Sequence, residues 1–64
     1  MKINMKKVRT AVQGSGYKKK YIAEKSGMTP NMFAQTLAEK RKFKADEFVA
    51  FCGLLGVKPD DLID

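Results

Sequence analysis

Apolar residues recur along this chain at helical intervals. Met5, Val8 and Val12 fall at i, i+3 and i+7, one face of a helix over about residues 4–13, with Lys6, Lys7 and Arg9 outside it. A second segment, about 18–26, offers Tyr21, Ile22 and Ala23 as inward groups. It ends at Gly27, which tolerates the left-handed conformation of a helix C′ position. The third segment has the clearest start signal, Thr29 as N-cap and Pro30 at the first helical position. Phe33, Thr36 and Leu37 follow at i, i+3 and i+4. A fourth, about 45–55, opens with Asp46 and Glu47, which suit the positive end of a helix. It then sets Phe48, Phe51, Cys52 and Leu55 at i, i+3, i+4 and i+7 before Gly56. Pro59-Asp60-Asp61-Leu62-Ile63 reads as a last single turn. Strand signals are poor, since Val, Ile and Thr are few and do not alternate with polar residues. The pattern predicts an all-α bundle of five short helices. Phe33, Phe48, Phe51, Leu54, Leu55, Val57, Leu62 and Ile63 are its expected core.

The punctuation and length limit what such a bundle does. Gly14-Ser15-Gly16, Gly27, the basic run 40–44 and Gly56 to Pro59 separate the segments. A chain of 64 residues is one domain, and it buries only roughly 60% of the surface its unfolded form exposes. A deep catalytic pocket has no room beside that core. The single Cys excludes an internal disulfide framework, and the absence of His excludes a zinc finger, a His general base and a Ser-His-Asp triad. No enzyme activity, cofactor or metal is expected. Cys52 lies on an apolar stripe and reads as a core thiol, while Met1, Met5 and Met28 read as gap fillers. No run approaches the roughly 20 apolar residues that span a bilayer. The first residues carry charge without an apolar h-region, so no signal peptide is expected. A free thiol then fits a cytoplasmic location.

Charge changes the picture. The formal net charge is +6 and the isoelectric point is near 9.7, a level that flags nucleic-acid binding. Twelve of the 13 basic residues fall in residues 1–44, whereas five of the seven acids fall in 45–64. One part of the fold should therefore carry a positive field that suits a polyanion.

Residues 18–26 and 29–37 make two short helices joined through Gly27-Met28-Thr29, the arrangement of a helix-turn-helix. Ala23 is small where a second helix crosses close to the first. The stretch Ile22-Ala23-Glu24-Lys25-Ser26-Gly27-Met28-Thr29 resembles the signature of the XRE, or Cro/phage-repressor-like, helix-turn-helix family. Residues Phe51 to Leu62, with Leu55-Gly56-Val57 and Asp60-Asp61-Leu62, resemble that family's fourth helix, its Leu-Gly-Val turn and the start of its fifth. The resemblance covers about residues 5–63. It implies a compact five-helix, lambda-repressor-like bundle that binds operator DNA, commonly as a homodimer controlling transcription in a bacterium, phage or mobile element. Three positions depart from the pattern. Ser26 and Thr36 stand where larger apolar residues are usual. Glu39 replaces the usual Gly, so either the helix runs on or a left-handed turn is strained by about 1 kcal/mol. Lys44 replaces a small polar cap.

The resemblance sends the second helix of the motif into the major groove, its N-terminal residues nearest the base edges. Base contacts are then expected from Pro30, Asn31, Met32 and Gln35, with Lys19 at the edge of the site. Asn31 and Gln35 lie at i, i+4, and an amide pairs in bidentate fashion with adenine N6 and N7. Phosphate contacts are expected from Lys18, Lys20, Thr29, Lys40, Arg41 and Lys42, two clusters that flank the reading helix. Lys19 belongs to the first cluster as well. Arg9 is the best further candidate in helix one. Tyr17 and Tyr21 are expected to pack against helices one and three.

Two further function classes compete. A protein-interaction module of the same fold, antitoxin- or anti-repressor-like, would leave DNA binding weak or lost. A basic protein of membrane surfaces is disfavoured, because the punctuation breaks every apolar stripe early. Any homodimer should use the acidic, apolar C-terminal part. No small-molecule pocket is evident.

Overall fold

The computed structural model describes residues 2–64; the expected role of Met1 as a gap filler lies outside these residues. Among these, three of the four α-helices start on side-chain caps, and the second starts at Lys18 without one. Helix α1 is Met5–Ser15; Asn4 caps it by accepting the Lys7 N–H at 3.1 Å, and Gly16 ends it at φ 79°. Helix α2 is Lys19–Lys25, α3 is Pro30–Leu37 and α4 is Ala45–Leu55. The Thr29 hydroxyl accepts the Met32 N–H at 3.1 Å, as an N-cap should. At α4 the Glu47 carboxylate accepts the Lys44 N–H at 3.2 Å, which caps the helix without help from the Lys44 side chain. A lysine side chain has no acceptor to offer the next turn.

Helices α2, α3 and α4 stop in one shared way, the Schellman arrangement of a 6→1 bond over a left-handed residue. Met28 N–H reaches Ala23 O at 2.8 Å across Gly27, and Val57 N–H reaches Cys52 O at 3.1 Å across Gly56. At α3 the same turn is made by Glu39: Lys40 N–H reaches Gln35 O at 2.9 Å and Glu39 N–H reaches Thr36 O at 3.0 Å. Glu39 has φ 60° and is the one non-glycine residue with positive φ among the described residues. The helix therefore stops rather than running on, at the cost of strain that a glycine would not carry.

The fold is all-α, with four α-helices rather than five. The fifth predicted helix is a 3₁₀ turn, Pro59–Leu62. Four residues beginning with a proline form too short a run to close an α-helical ladder, and i→i+3 bonds serve instead. Asp61 N–H bonds Lys58 O at 3.0 Å in this way. The turn brings the two ends of the chain together. Asn4 N–H bonds Leu62 O at 2.7 Å, Asp64 N–H bonds Lys2 O at 2.9 Å, and Ile3 faces Ile63 in an isolated antiparallel bridge.

The core sits where the helical stripes meet. Val8, Val12, Ile22, Ala23, Met28, Phe33, Phe43, Phe48, Phe51, Cys52 and Leu62 are buried. Of the expected core, Phe33, Phe48, Phe51 and Leu62 lie in the interior, whereas Leu54, Leu55, Val57 and Ile63 pack half-buried around it. Phe43, assigned by sequence to a basic linker, is a core residue. Its ring meets Phe48 and Phe51 edge-on, with centroids 5.5 and 5.6 Å apart, the geometry that aromatic quadrupoles favour. Cys52 is buried as expected, and burial pushes its thiol above the ordinary value, which disfavours the thiolate.

Candidate nucleic-acid interface

Helices α2 and α3 are packed together and joined by residues 26–29. Met28, Ile22 and Ala23 meet in the core just at that joint, so the Schellman turn is held from inside by its own apolar contact. The joint also buries Ser26, whose hydroxyl has no hydrogen-bond partner. Helix α3 is fixed by Phe33, which is 1% exposed and lies 6.3 Å from Phe51, centroid to centroid.

Pinning that face turns the other face outward. Pro30, Asn31, Ala34 and Gln35 are exposed, and Met32 and Leu37 are half-buried at the margin. Among the described residues the side-chain amides of Asn31 and Gln35 bond to nothing in the protein and remain free to pair. No acidic residue lies within α3. Thr29 is exposed, and its oxygen accepts from Met32 while its O–H is left to donate.

The cations divide into two classes. Lys18, Lys19, Lys20, Lys40 and Lys42 are exposed and, among the described residues, pair with no carboxylate. The two arginines are engaged by groups of the protein itself, Arg41 largely buried and Arg9 still 43% exposed. Arg41, one of the expected phosphate contacts, is engaged within the protein. Its guanidinium grips Glu47 through both nitrogens, at 2.9 and 3.0 Å, and also donates to the Thr36 hydroxyl at 3.1 Å. Its side chain is 17% exposed and that of Glu47 is 8% exposed. The fork matches the carboxylate in two-point geometry. It holds the Glu47 carboxyl below its ordinary value, chiefly by that hydrogen bond, and raises the already high value of Arg41.

Thr36 explains itself in this network. Its hydroxyl donates to Met32 O at 2.9 Å and receives Arg41, so a polar residue on the apolar stripe is fully paired. Arg9 is spent similarly. It caps the end of α3 by donating to Leu37 O at 2.9 Å and pairs with Glu39 at 3.4 Å. Both arginines thus shape the loop 38–44 and leave its positive charge toward solvent chiefly to Lys40, Lys42 and Lys44. Beside that loop lies a broad open hollow of about 440 Å³, with Ile3, Met5 and Phe43 in its wall and Lys2, Lys40 and Lys42 among its lining residues.

Tyr21 and Tyr17 are a correction to the expected packing. They pack on each other, 5.2 Å apart between centroids, and remain exposed. Helix α2 is only seven residues long, and Ile22 and Ala23 already fill its inward side. The Arg41–Glu47–Thr36 network was hidden in the sequence because its members belong to three different elements. Its only sequence signal is Thr36 on an otherwise apolar stripe.

Comparison of the chain with protein-family models, with curated proteins and with solved structures finds no match.

Proposed function

We propose that this protein binds double-stranded DNA sequence-specifically, with α2 and α3 as a helix-turn-helix and α3 as the reading helix, and that it regulates transcription as a repressor. The observation that carries this is the outward face of α3. It presents two unpaired amides, Asn31 and Gln35, on a helix anchored from behind by Phe33 and carrying no acid. Lysines free of carboxylate partners precede and follow it in the chain, at 18–20 and at 40 and 42. Lysines act as point charges on phosphates, whereas amides read adenine. Helix α3 itself carries no arginine, so its outward face offers no guanidinium to read guanine in two-point fashion. The preferred sites should therefore be specified at A·T pairs. Pro30 and Met32 border the amides and would touch the base edges from the same face, Met32 against a thymine methyl. Lys19 would reach the margin of the site.

One copy measures 25 Å along its longest axis. Half-sites in successive turns of the major groove lie about 34 Å apart. A homodimer is thus required to read a palindrome, and the acidic C-terminal part is the surface left for it. Val49 on α4 is 61% exposed there, close in sequence to the half-buried Leu54 and Leu55. No helix of the described residues is long and apolar enough to cross a membrane.

The test is selection from random duplex DNA at two salt concentrations. A recovered palindrome rich in A·T pairs supports a dimeric reader. Salt-sensitive binding without a motif refutes sequence reading and favours a protein partner for the same face.

A further inference from the structure

Tyr17 and Tyr21 form an aromatic surface that the core leaves outside. Gly16, at φ 79°, turns the chain out of α1, and the Ser15 hydroxyl accepts the Tyr17 N–H at 3.1 Å. Tyr17 therefore stands just ahead of α2, four residues before Tyr21, and the two rings lie tilted at 42° with centroids 5.2 Å apart. They are 45% and 41% exposed. Lys18, Lys19 and Lys20 follow Tyr17 directly, and the Lys25 ammonium stands 5.8 Å above the Tyr21 ring. Glu24 is the only acid between residues 17 and 25. Among the described residues, the ion pairs Arg9–Glu39 and Arg41–Glu47 involve none of these lysines.

We propose that Tyr17 and Tyr21 are a stacking platform for unpaired bases, and that Lys18, Lys19, Lys20 and Lys25 hold the phosphates beside it. The protein thereby has a second activity, binding single-stranded nucleic acid. Every base offers a π-face, so aromatic rings in a basic patch bind single strands with little regard to sequence. The two rings already touch, which leaves no slot between them, so bases lie on their outer faces. A duplex keeps its base faces inside its own stack and meets such rings only through their hydroxyls. Two wet ring surfaces therefore suit an open strand better than a duplex. This site shares Lys18, Lys19 and Lys20 with the proposed duplex interface but adds two rings that the duplex reading does not use, so the tyrosine variants test it independently of the duplex selection experiment.

The sequence supplies its own probe. The chain has no Trp and only these two Tyr, so its intrinsic fluorescence reports on this platform alone. Titration with oligo(dT) and oligo(U) should quench that fluorescence to saturation, and the tighter of the two identifies DNA or RNA as the preferred strand. Inorganic polyphosphate, which carries charge without bases, should bind without the quench. Tyr17→Gln and Tyr21→Gln should each weaken binding of a labelled oligo(dT), read by anisotropy, by about 5- to 150-fold. Tyr17→Phe and Tyr21→Phe should retain it, with circular dichroism confirming that helix content is unchanged. Equal quenching by polyphosphate, or Gln variants that bind as the parent does, would overturn the proposal. Phe variants that lose as much as the Gln variants would overturn it too, because they assign the role to the hydroxyls. The quench decides the matter even where a Gln variant fails to fold.

Discussion

Replacing Ser26 by alanine should make this protein more stable. Ser26 is 3% exposed at the end of α2, and its Oγ bonds to nothing in the protein, although its backbone N–H reaches Ile22 O and Ala23 O. A buried hydroxyl without a partner costs about 1–3 kcal/mol. Alanine keeps the backbone bonds and removes the oxygen. The atom-sized gap left behind costs a few tenths of a kcal/mol at about 24 cal/mol per Å³. A net gain of about 1–2 kcal/mol remains. It is large for a chain of this length, whose total stability is on the order of 3–10 kcal/mol. Each kcal/mol should raise the melting temperature by about 4–8 °C in a domain this small. Thermal melts followed by circular dichroism measure the shift. Urea titration should show a higher midpoint with the slope unchanged, the sign of a true stability change. A melting temperature that stays the same or falls would refute the reasoning, because the hydroxyl would then have a partner, such as a buried water.

The pair Arg41–Glu47 predicts an acid sensitivity. The Glu47 carboxyl sits below its ordinary value near 4.5, chiefly through the Arg41 hydrogen bond. A depressed carboxyl stabilises the fold above its unfolded value and loses that contribution as pH falls through the folded value. Glu47→Gln should therefore melt well below the parent at pH 7, and the gap should close as pH drops below about 4.5; a gap independent of pH refutes the pairing. Lys40→Ala should reduce the salt slope of DNA binding by about 1. Arg41→Gln should lower the melting temperature and leave that slope alone in the folded protein; a fall in slope would return Arg41 to the phosphate contacts. Asn31→Ala should weaken specific binding by about 1–3 kcal/mol and relax preference at one or two base pairs. Equal weakening on all sequences would remove Asn31 from the base readers.

Much of the fold was legible in the chain because it is encoded locally. Thr29-Pro30 starts α3 by satisfying or removing backbone donors, and Gly27 and Gly56 stop α2 and α4 because they turn left-handed without strain. The stripe Phe48, Phe51 and Cys52 buried itself as its spacing predicts. The outward face of α3 was legible for the same reason. Once Phe33 is inward, the 3.6-residue period points Asn31 and Gln35 away.

The rest depends on residues far apart in sequence or on elements too short to show a period. Phe43 sits among lysines with no stripe to mark it, and only the rings of Phe48 and Phe51 show that it belongs inside. The tyrosines were expected to pack inward, but Ile22 and Ala23 take that side of a two-turn helix. Arg41 looked like one more cation in a basic run. Its assignment turned on a carboxylate brought across the loop by the start of α4 and a hydroxyl at the end of α3. Sequence by itself determined the four α-helices and the caps at Thr29, Gly27 and Gly56, which follow from backbone chemistry within a few residues, and the excess of positive charge, which follows from composition. Tertiary structure alone decided which cations remain free, because a guanidinium is available to a phosphate only where no carboxylate of the same chain has been folded against it.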